Sequence, residues 1–571
     1  MEPVPDWGTI PRMLRDQAAR HPDATVVADD AVRASDARAN DARVSDARAN
    51  DARVSATAAS GARMSMAELL GEATRVARGL MALGVGPGDR VALWGVNDPS
   101  WVVHAFGVWC AGAVIVPLSS RAKGLEAAAM IRKTGARVLI TGEGAGRTVL
   151  ADLLPPGTGL LHVVVPAPSP PVPGPSSEMP GPVRLTASEL RERGEEVAPD
   201  AAEERALAVR PDDLCEIMST SGTTGTPKGV MLDHAQVLRG YWDWAEIVSL
   251  REDDRYPVIA PFSHGFGLNA GLLACVLRRA TMLPVPVFTP DGLMELVSAG
   301  RISVLAGPPT LFHRLLDELD RGSWDVSSLR VAICGAAAVP PSLITRLVDQ
   351  VGVERVINAY GLMEGTVVSM TRAGDPVEVV AATAGRAVPG IEVRVVDDAG
   401  RDVAAGERGE ILQRGYGVMR GYWDEPERTA EVVDGDGWLH TGDVGVLDQD
   451  GNLAIVDRKK ELYIVNGFNV SPAEVESLLL REGSLAQAAV VGVPDPVSGE
   501  AGRAYVVPRP GAEVAAETLL DWARENMSNY KVPKRIVVVD ALPANANGKI
   551  DKLALRARAT REDSEPGKRL S

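Results

Sequence analysis

The sequence predicts an α/β protein with a large N-terminal domain of parallel-rich, helix-covered sheets and a small α+β C-terminal domain. Short β-branched runs at residues 88–95, 112–118, 136–142 and 330–336 alternate with helical stretches such as MAELLGEATRVARGLMAL, residues 66–83. This alternation is typical of parallel strands covered by helices. The chain has 571 residues, 45% of them apolar, and such a length exceeds what one hydrophobic core usually organises.

The character of the chain changes near Asp457. The charged segment DRKKEL, residues 457–462, follows the strand-like GNLAIV, and a compact α+β pattern continues towards the C-terminus. We therefore expect an N-terminal domain at residues 1–459 and a C-terminal domain at residues 460–571.

Two segments contribute little to either predicted core. Residues 35–54 repeat SDARANDARV in tandem without large apolar side chains, so they can bury almost nothing and indicate a surface insertion with no catalytic role. Residues 166–182 are rich in proline, which fixes φ and removes backbone donors, so we expect an extended surface connector.

The charge balance favours small-molecule partners. The chain carries 60 Lys and Arg against 76 Asp and Glu, a net charge of −16, which argues against a general nucleic-acid or anionic-lipid surface. The N-terminus has neither a basic region nor an apolar stretch typical of a signal peptide. We expect a cytoplasmic enzyme with no membrane span and buried free thiols at its dispersed cysteines, which are Cys110, Cys215, Cys275 and Cys334.

Residues 219–229, STSGTTGTPKG, have the composition of a polyphosphate-binding loop. Glycines let the backbone approach an anion, hydroxyl groups donate hydrogen bonds, and Lys228 supplies a positive charge. Pro227 breaks the Walker A spacing, so an ordinary P-loop NTPase is not indicated. The candidate phosphate ligands in this loop are Thr220, Ser221, Gly222, Thr223, Thr224 and Lys228.

This loop and further motifs in order resemble the adenylate-forming superfamily of acyl-CoA synthetases, adenylation domains and luciferases, and most closely its bacterial fatty-acid or acyl-CoA ligases. The resemblance extends from about Trp7 to about Arg558 and is interrupted by the repeat. Its other motifs are PFSHGFG (261–267), CGAAAVP (334–340), NAYGLMEGT (358–366), GWLHTGD (437–443), DRKKELYIVNGFNVSPAEVE (457–476) and LPANANGKIDK (542–552).

The resemblance implies a ligase that activates a nonpolar carboxylic acid with ATP to an acyl-adenylate and transfers the acyl group to coenzyme A. It implies that Lys549 is the catalytic lysine of adenylation and that Glu364 helps to hold Mg²⁺. His264 matches a histidine at the mouth of the acyl pocket, where gating or a purely structural role is expected. The implied adenine and ribose contacts are Gly335, Ala336, Ala337, Tyr360, Asp443 and Arg458.

The resemblance also implies a mobile C-terminal domain that rotates about a hinge at Lys460. After rotation, Gly467, Phe468 and Asn469 are expected to border the pantetheine tunnel, which favours coenzyme A as acceptor. A ligase that loads an acyl carrier protein is the alternative within the same class. A homodimer is a further expectation from the family.

One motif departs from the family pattern. Met363 stands where members commonly have a threonine that contacts the α-phosphate, so that contact is in doubt. Thr366, three residues further on, is the candidate replacement. A protein that binds adenylates without catalysis is the alternative that this departure raises, and Lys549, Glu364, Asp443 and Lys228 argue against it.

Overall fold

The computed structural model describes residues 4–29, 63–143, 148–166, 181–220, 227–289, 292–335, 339, 341–458, 463–509, 511–543 and 550–564. Several predicted features lie outside these residues, so the predictions about them stand as made. They are the repeat 35–54, most of the proline-rich connector, the candidate ligands Ser221, Gly222, Thr223, Thr224, Ala336 and Ala337, the hinge Lys460 and the catalytic Lys549.

Several helices begin after a residue whose side chain caps them. Helix α2, for example, begins after Ser65, whose side chain accepts from the Glu68 amide while the Glu68 carboxylate accepts from the Ser65 amide. The helices are α1 (Ile10–Arg20), α2 (Met66–Ala82), α3 (Pro99–Cys110), α4 (Gly124–Thr134), α5 (Ala187–Gly194), α6 (Pro199–Ala208), α7 (His234–Val248), α8 (Gly265–Gly267), α9 (Ala274–Arg278), α10 (Leu293–Gly300), α11 (Pro309–Arg321), α12 (Pro341–Arg346), α13 (Val377–Ala382), α14 (Pro426–Ala430), α15 (Pro472–Leu480), α16 (Ala516–Asn526) and α17 (Lys552–Ser564). A 3-10 helix spans Leu150–Leu153, and π-helical turns span Leu268–Leu273 and Leu347–Val351.

The largest sheet has eight strands in the order β19-β9-β8-β4-β3-β5-β6-β7. All its neighbours from β8 to β7 are parallel, and the β8–β9 and β9–β19 pairs are antiparallel. Its strands are β3 (Arg90–Trp94), β4 (Val114–Leu118), β5 (Val138–Thr141), β6 (His162–Val165), β7 (Val183–Thr186), β8 (Leu214–Thr220), β9 (Lys228–Asp233) and β19 (Gly421–Tyr422).

Two further sheets complete the α/β part of the large domain. The first has the order β10-β11-β1-β2 and the second β12-β13-β14-β15-β16, and strands β12 to β14 are parallel. The strands are β1 (Thr25–Ala28), β2 (Arg63–Ser65), β10 (Arg255–Val258), β11 (Thr281–Pro284), β12 (Val304–Gly307), β13 (Val331–Gly335), β14 (Arg355–Leu362), β15 (Thr366–Met370) and β16 (Arg386–Ala387).

An antiparallel sheet, β17-β18-β20-β21, follows, and the predicted parallel pattern does not extend to it. The C-terminal sheet has the order β23-β22-β25-β24, with β26 parallel to β25. These strands are β17 (Ile391–Val396), β18 (Arg408–Gly415), β20 (Leu439–Leu447), β21 (Leu453–Arg458), β22 (Tyr463–Val465), β23 (Phe468–Val470), β24 (Leu485–Asp495), β25 (Gly499–Pro508) and β26 (Arg535–Val538).

The hydrophobic cores divide the described residues between two parts of the chain. The clusters around Tyr463 and Tyr505 contain no described residue before Tyr463, and the other clusters contain none after Leu453. The predicted α/β fold with a large N-terminal and a small C-terminal domain is therefore confirmed. The boundary between residues 459 and 460 lies outside the described residues and stays a prediction.

The structure also bears on the predicted free thiols and on the predicted lack of a membrane span. Cys110, Cys215, Cys275 and Cys334 are all buried free thiols, as predicted. In the part of the chain that the structure describes, no helix has both the length and the apolar character needed to cross a membrane.

Candidate active site

The predicted phosphate loop closes the hairpin between β8 and β9. Thr220 ends β8 and pairs in register with Lys228, the first residue of β9. The hydroxyl of Thr220 is buried without a hydrogen-bond partner among the described residues. Strand β4 lies beside β8 and parallel to it, so the loops that follow both strands lie at the same edge of the sheet.

A cation, an aromatic ring and a carboxylate lie in succession next to this loop. The ammonium of Lys228 is 4.1 Å from the centre of the Tyr422 ring, and the Tyr422 hydroxyl donates to Glu364 Oε1 at 2.8 Å. Burial, followed by the neighbouring charge of Glu364, raises the pKa of Tyr422 above its usual range, so the phenol keeps its proton. Tyr422 therefore orients the predicted metal-binding carboxylate.

Sequence reasoning missed Tyr422, because it lies between the recognised motifs at residues 358–366 and 437–443. Its position follows from the sheet: Tyr422 pairs with Val230 of β9, so β19 brings the ring next to Lys228 at the start of that strand. Nothing in the local sequence around Gly421 and Tyr422 indicates this pairing.

Glu364 suits a magnesium ion that is bound mainly by substrate. Its Oε1 accepts from Tyr422, and Mg²⁺ commonly uses one or two carboxylates together with phosphate oxygens and water. Among the described residues, no group of three or more His, Cys, Asp or Glu side chains could hold a metal by itself. The residues present therefore fit a metal that enters with the nucleotide.

The predicted adenine and ribose contacts that the structure describes lie on four strands. The Tyr360 hydroxyl of β14 donates to Asp443 Oδ2 of β20 at 2.6 Å, although these strands belong to different sheets. Gly335, at the end of β13, pairs with Ala359 next to Tyr360. The backbone of Arg458 in β21 lies opposite Asp443. The buried Asp443 carboxylate therefore lies against the Tyr360 hydroxyl, and the roles of these residues in binding adenine and ribose stay predictions.

His264 lies at the start of the short helix α8. Its Nδ1 accepts a hydrogen bond from the Phe266 amide at 3.2 Å, and its side chain is exposed. The neutral ring therefore carries its proton on Nε2. A methyl group at Gly265 would lie 3.3 Å from the sulfur of Met363 and 3.8 Å from the hydroxyl of Tyr241, so Met363 packs close to the histidine motif.

Thr366 does not replace the hydroxyl that Met363 lacks. Its side-chain oxygen is buried without a hydrogen-bond partner among the described residues. A methyl group at Gly417 would lie 2.7 Å from this oxygen, and one at Gly240 would lie 3.6 Å from it. The hydroxyl is therefore enclosed by protein and inaccessible to a nucleotide.

The predicted pantetheine-binding loop forms a tight hairpin between β22 and β23. Asn466 and Gly467 both have positive φ, 49° and 82°, as a two-residue turn of this kind requires. Phe468 follows and stacks on Tyr530, with ring centres 4.6 Å apart. On the large domain, the Arg121 guanidinium lies 4.6 Å from the centre of the Phe468 ring.

Arg121 lies shortly after β4 and therefore at the sheet edge where the phosphate loop begins. The loop containing Phe468 thus contacts the large domain beside the predicted nucleotide site. Asn469 extends from the same hairpin and pairs with Ile464. The structure thus brings Phe468, a predicted pantetheine-binding residue, into contact with Arg121 of the large domain, a residue that the sequence analysis did not single out.

Two family models match the chain. The model for AMP-binding enzymes matches residues 14–423, and the model for the C-terminal domain of AMP-binding enzymes matches residues 474–549.

Curated relatives cover most of the chain. The 3-(7a-methyl-1,5-dioxo-octahydroinden-4-yl)propanoyl:CoA ligase of Rhodococcus jostii is 42% identical over 84% of this chain and 91% of its own length. Feruloyl-CoA synthase of an Amycolatopsis species is 37% identical over 86% of this chain and 93% of its own length.

Solved structures of other proteins share the fold of this chain. The amide bond synthetase McbA of Marinactinospora thermotolerans superposes with a TM-score of 0.75 and 27% identity, covering 96% of this chain and 99% of that one. A fatty acyl CoA synthetase of Mycobacterium tuberculosis gives a TM-score of 0.64 and 28% identity over 97% and 99% of the two chains. The chain therefore belongs to the AMP-binding enzyme family and is an AMP-forming acid:CoA ligase.

Proposed function

We propose that ATP binds across the edge where the β8–β9 loop, Tyr360 and Asp443 meet. The adenine lies against Tyr360 and the backbone at Gly335, and the buried Asp443 carboxylate accepts hydrogen bonds from the ribose hydroxyls. Arg458 lies near the ribose in this arrangement. The 2.6 Å contact between Tyr360 and Asp443 supports the proposal, because it joins the ring and the ribose acceptor in one rigid unit.

The triphosphate then extends towards Lys228 and the phosphate loop. A carboxylate oxygen of the acid attacks the α-phosphorus, the bond to the pyrophosphate oxygen breaks, and acyl-AMP and pyrophosphate form. Lys549 neutralises charge shared between the carboxylate and the α-phosphate. Magnesium, when bound, withdraws charge from the phosphate oxygens, and Glu364, oriented by Tyr422, holds it. His264 stays neutral and borders the entrance to the acyl pocket.

Coenzyme A is the acceptor of the second half-reaction. Its sulfur attacks the acyl carbon, a C–S bond forms, the bond to the AMP oxygen breaks, and the thiol proton leaves to solvent. Gly467, Phe468 and Asn469 border the arm that delivers the thiol, after the C-terminal domain has rotated about Lys460. The contact of Phe468 with Arg121 at the edge of the nucleotide site supports this assignment.

The acid is a three-carbon carboxylic arm on a hydrophobic ring system. The observation that carries this proposal is the similarity to two ligases whose named acyl groups share that plan. One is a bicyclic dione carrying a propanoyl group, at 42% identity, and the other is feruloyl, at 37% identity. A medium-chain acyl-CoA ligase from Homo sapiens is 31% identical, so a straight fatty acid is the second candidate and implies a role in fatty-acid metabolism.

The test is acid-dependent release of AMP, with and without coenzyme A, over 3-cyclohexylpropanoate, a bicyclic propanoate, ferulate, octanoate and palmitate. We expect AMP and thioester to form together, with kcat/KM highest for a ring-bearing propanoate. A clear preference for octanoate or palmitate would overturn the ring proposal while leaving the ligase intact.

A carrier-protein pantetheine is the second candidate acceptor, because it presents the same thiol arm to Phe468. Adenylate formation without a CoA thioester, followed by acylation of a carrier protein, would favour it. We also propose that the enzyme is a cytoplasmic homodimer, which light scattering of the purified protein and fractionation of cells would test.

A further inference from the structure

One carboxylate of the large domain receives several hydrogen bonds from the small domain. Glu126 lies in the first turn of α4. Its Oε2 accepts from the Ser528 amide at 3.1 Å and from the Ser528 hydroxyl at 2.9 Å, and its Oε1 accepts from Lys531 Nζ at 2.8 Å. Within its own helix, Oε2 also accepts from the Lys123 amide at 2.9 Å. The side chain is only 7% exposed, so these are desolvated, charge-assisted contacts.

The ammonium of Lys531 is held in place by its own domain. It donates to Glu474 Oε1 of α15 at 2.7 Å as well as to Glu126. Burial alone would lower the pKa of Lys531, but Glu474, Tyr530 and Glu126 raise it well above its usual value. When the domains separate, Lys531 keeps Glu474, while Glu126 keeps only the Lys123 amide and loses its partners in the small domain. The donor is thus already oriented before docking, which reduces the cost of forming the contact.

The same contact controls the position of the predicted pantetheine-binding loop. Tyr530 precedes Lys531 in the chain and stacks on Phe468. Arg121 lies a few residues before Glu126, and its guanidinium is 4.6 Å from the centre of the same ring. A shift of Lys531 away from Glu126 would therefore move Tyr530 and withdraw Phe468 from Arg121.

We propose that Glu126 is a positioning residue for the second half-reaction: by binding Ser528 and Lys531, it holds the small domain so that Phe468 faces the nucleotide site while coenzyme A attacks. The inference rests on the proposed role of coenzyme A as acceptor. In the proposed reaction, Lys549 acts in adenylation before the small domain rotates, so adenylation does not need this contact.

The test measures the half-reactions of Glu126→Gln separately. Acid-dependent exchange of pyrophosphate into ATP reports adenylation, and single-turnover transfer from preformed acyl-AMP to coenzyme A reports thioester formation. We expect thioester formation to fall about tenfold, because a charged acceptor is replaced by a neutral one, while exchange stays within about twofold. Ser528→Ala should slow the transfer in the same direction by a smaller factor.

Glu68→Gln is the matched control. Glu68 has the same capping role in α2 that Glu126 has in α4, but its hydrogen bonds to Ser65 stay within its own helix turn. This variant should leave both half-reactions unchanged. Equal losses of exchange and transfer in Glu126→Gln would show that Glu126 only stabilises the fold, and no loss would also overturn the proposal. If the wild-type enzyme forms no CoA thioester, the proposed acceptor is wrong instead.

Discussion

The nucleotide site and the contact between the domains are built in different ways. Tyr360, Asp443 and Tyr422 project from strands of the large domain, so backbone hydrogen bonds of the sheets fix their positions. The contact between the domains uses the start of a helix at Glu126 and a loop residue, Lys531, from the other domain. The first arrangement is held by the sheets of one domain, whereas the second joins side chains of two domains, which separate in the proposed mechanism.

This difference indicates how the two half-reactions are divided. Groups that bind ATP must keep their geometry through the whole cycle, because both steps use the bound nucleotide. Groups that present the acceptor are needed only after adenylation, so a contact that forms and breaks is sufficient for them. Substitutions in the first region should therefore reduce adenylation, and substitutions in the second should alter only transfer.

The largest effect should come from Lys549→Ala. If its cation acts mainly in the adenylation transition state, pyrophosphate exchange should fall by about a thousandfold or more, while transfer from preformed acyl-AMP stays nearly intact. Stopped-flow or quenched-flow measurement of each half-reaction tests this.

Lys552→Ala is the control for charge in the same segment. Lys552 forms an ion pair with Glu476 at 3.0 Å within the C-terminal domain, so its loss should change exchange only slightly. Equal losses of both half-reactions in Lys549→Ala would contradict the separation of roles between the two regions.

Intermediate effects should come from the Tyr422–Glu364 pair. Tyr422→Phe removes the hydroxyl that donates to Glu364 but keeps the ring beside Lys228, and we expect exchange to fall about tenfold, with a higher Mg²⁺ requirement. Glu364→Gln should cost about a hundredfold, and the double variant should be little worse, because both changes disturb one unit. The measurement is exchange against Mg²⁺ concentration.

Tyr416→Phe provides a control with the same chemistry elsewhere. The Tyr416 ring lies under Arg239, and its hydroxyl donates to Asp243 at 3.1 Å. Its loss should leave the Mg²⁺ requirement unchanged. A Tyr422→Phe enzyme with a normal Mg²⁺ dependence would show that the hydroxyl does not orient the metal-binding carboxylate.

The sequence predicted more of the nucleotide site in the large domain than of the Glu126–Lys531 contact between the domains. The motifs predict that Tyr360 and Asp443 belong to one site, and the Tyr360 hydroxyl lies 2.6 Å from Asp443 Oδ2. The sequence analysis missed Tyr422, because the pairing of β19 with β9, and not a local sequence pattern, brings Tyr422 to Glu364. Glu126 and Lys531 are 405 residues apart in the chain, and charged side chains on a helix start or a loop look like ordinary surface residues. Their meeting depends on how two folded bodies dock, which local patterns do not specify.

A buried carboxyl beneath the phosphate loop should give the rigid region a pH-dependent stability. Glu216 of β8 accepts from Asn269 at 2.8 Å, and burial raises its pKa from 4.5 to about 7. Because the folded-state pKa is raised, the stabilising contribution is complete below about pH 4.5 and is lost as the pH rises through 7. Between pH 4.5 and 7 the free energy of unfolding should fall by roughly 3 kcal/mol because of this group. Glu216→Gln should remove that decrease.

The comparison is the urea unfolding of the large-domain signal for wild type and Glu216→Gln at pH 5.5 and pH 8. The free energy of unfolding of the variant minus that of the wild type should increase as the pH rises. If the free energies of unfolding of the two proteins change with pH in parallel, Glu216 is ionised in the folded protein, and the prediction is wrong.

The smallest effect should follow deletion of residues 35–54. The strands on either side, β1 and β2, pair antiparallel, with Ala28 opposite Arg63. The segment therefore connects two chain ends that are already adjacent, and residues 29–34 and 55–62 remain to connect them after deletion. Shortening this connection changes its closure entropy by only about 0.8 kcal/mol, so we expect both half-reactions to stay within about twofold and the unfolding midpoint to change little. If transfer alone fell, the repeat would have to act on the Glu126–Lys531 contact, and the division between the nucleotide site and the contact between the domains would need a third component.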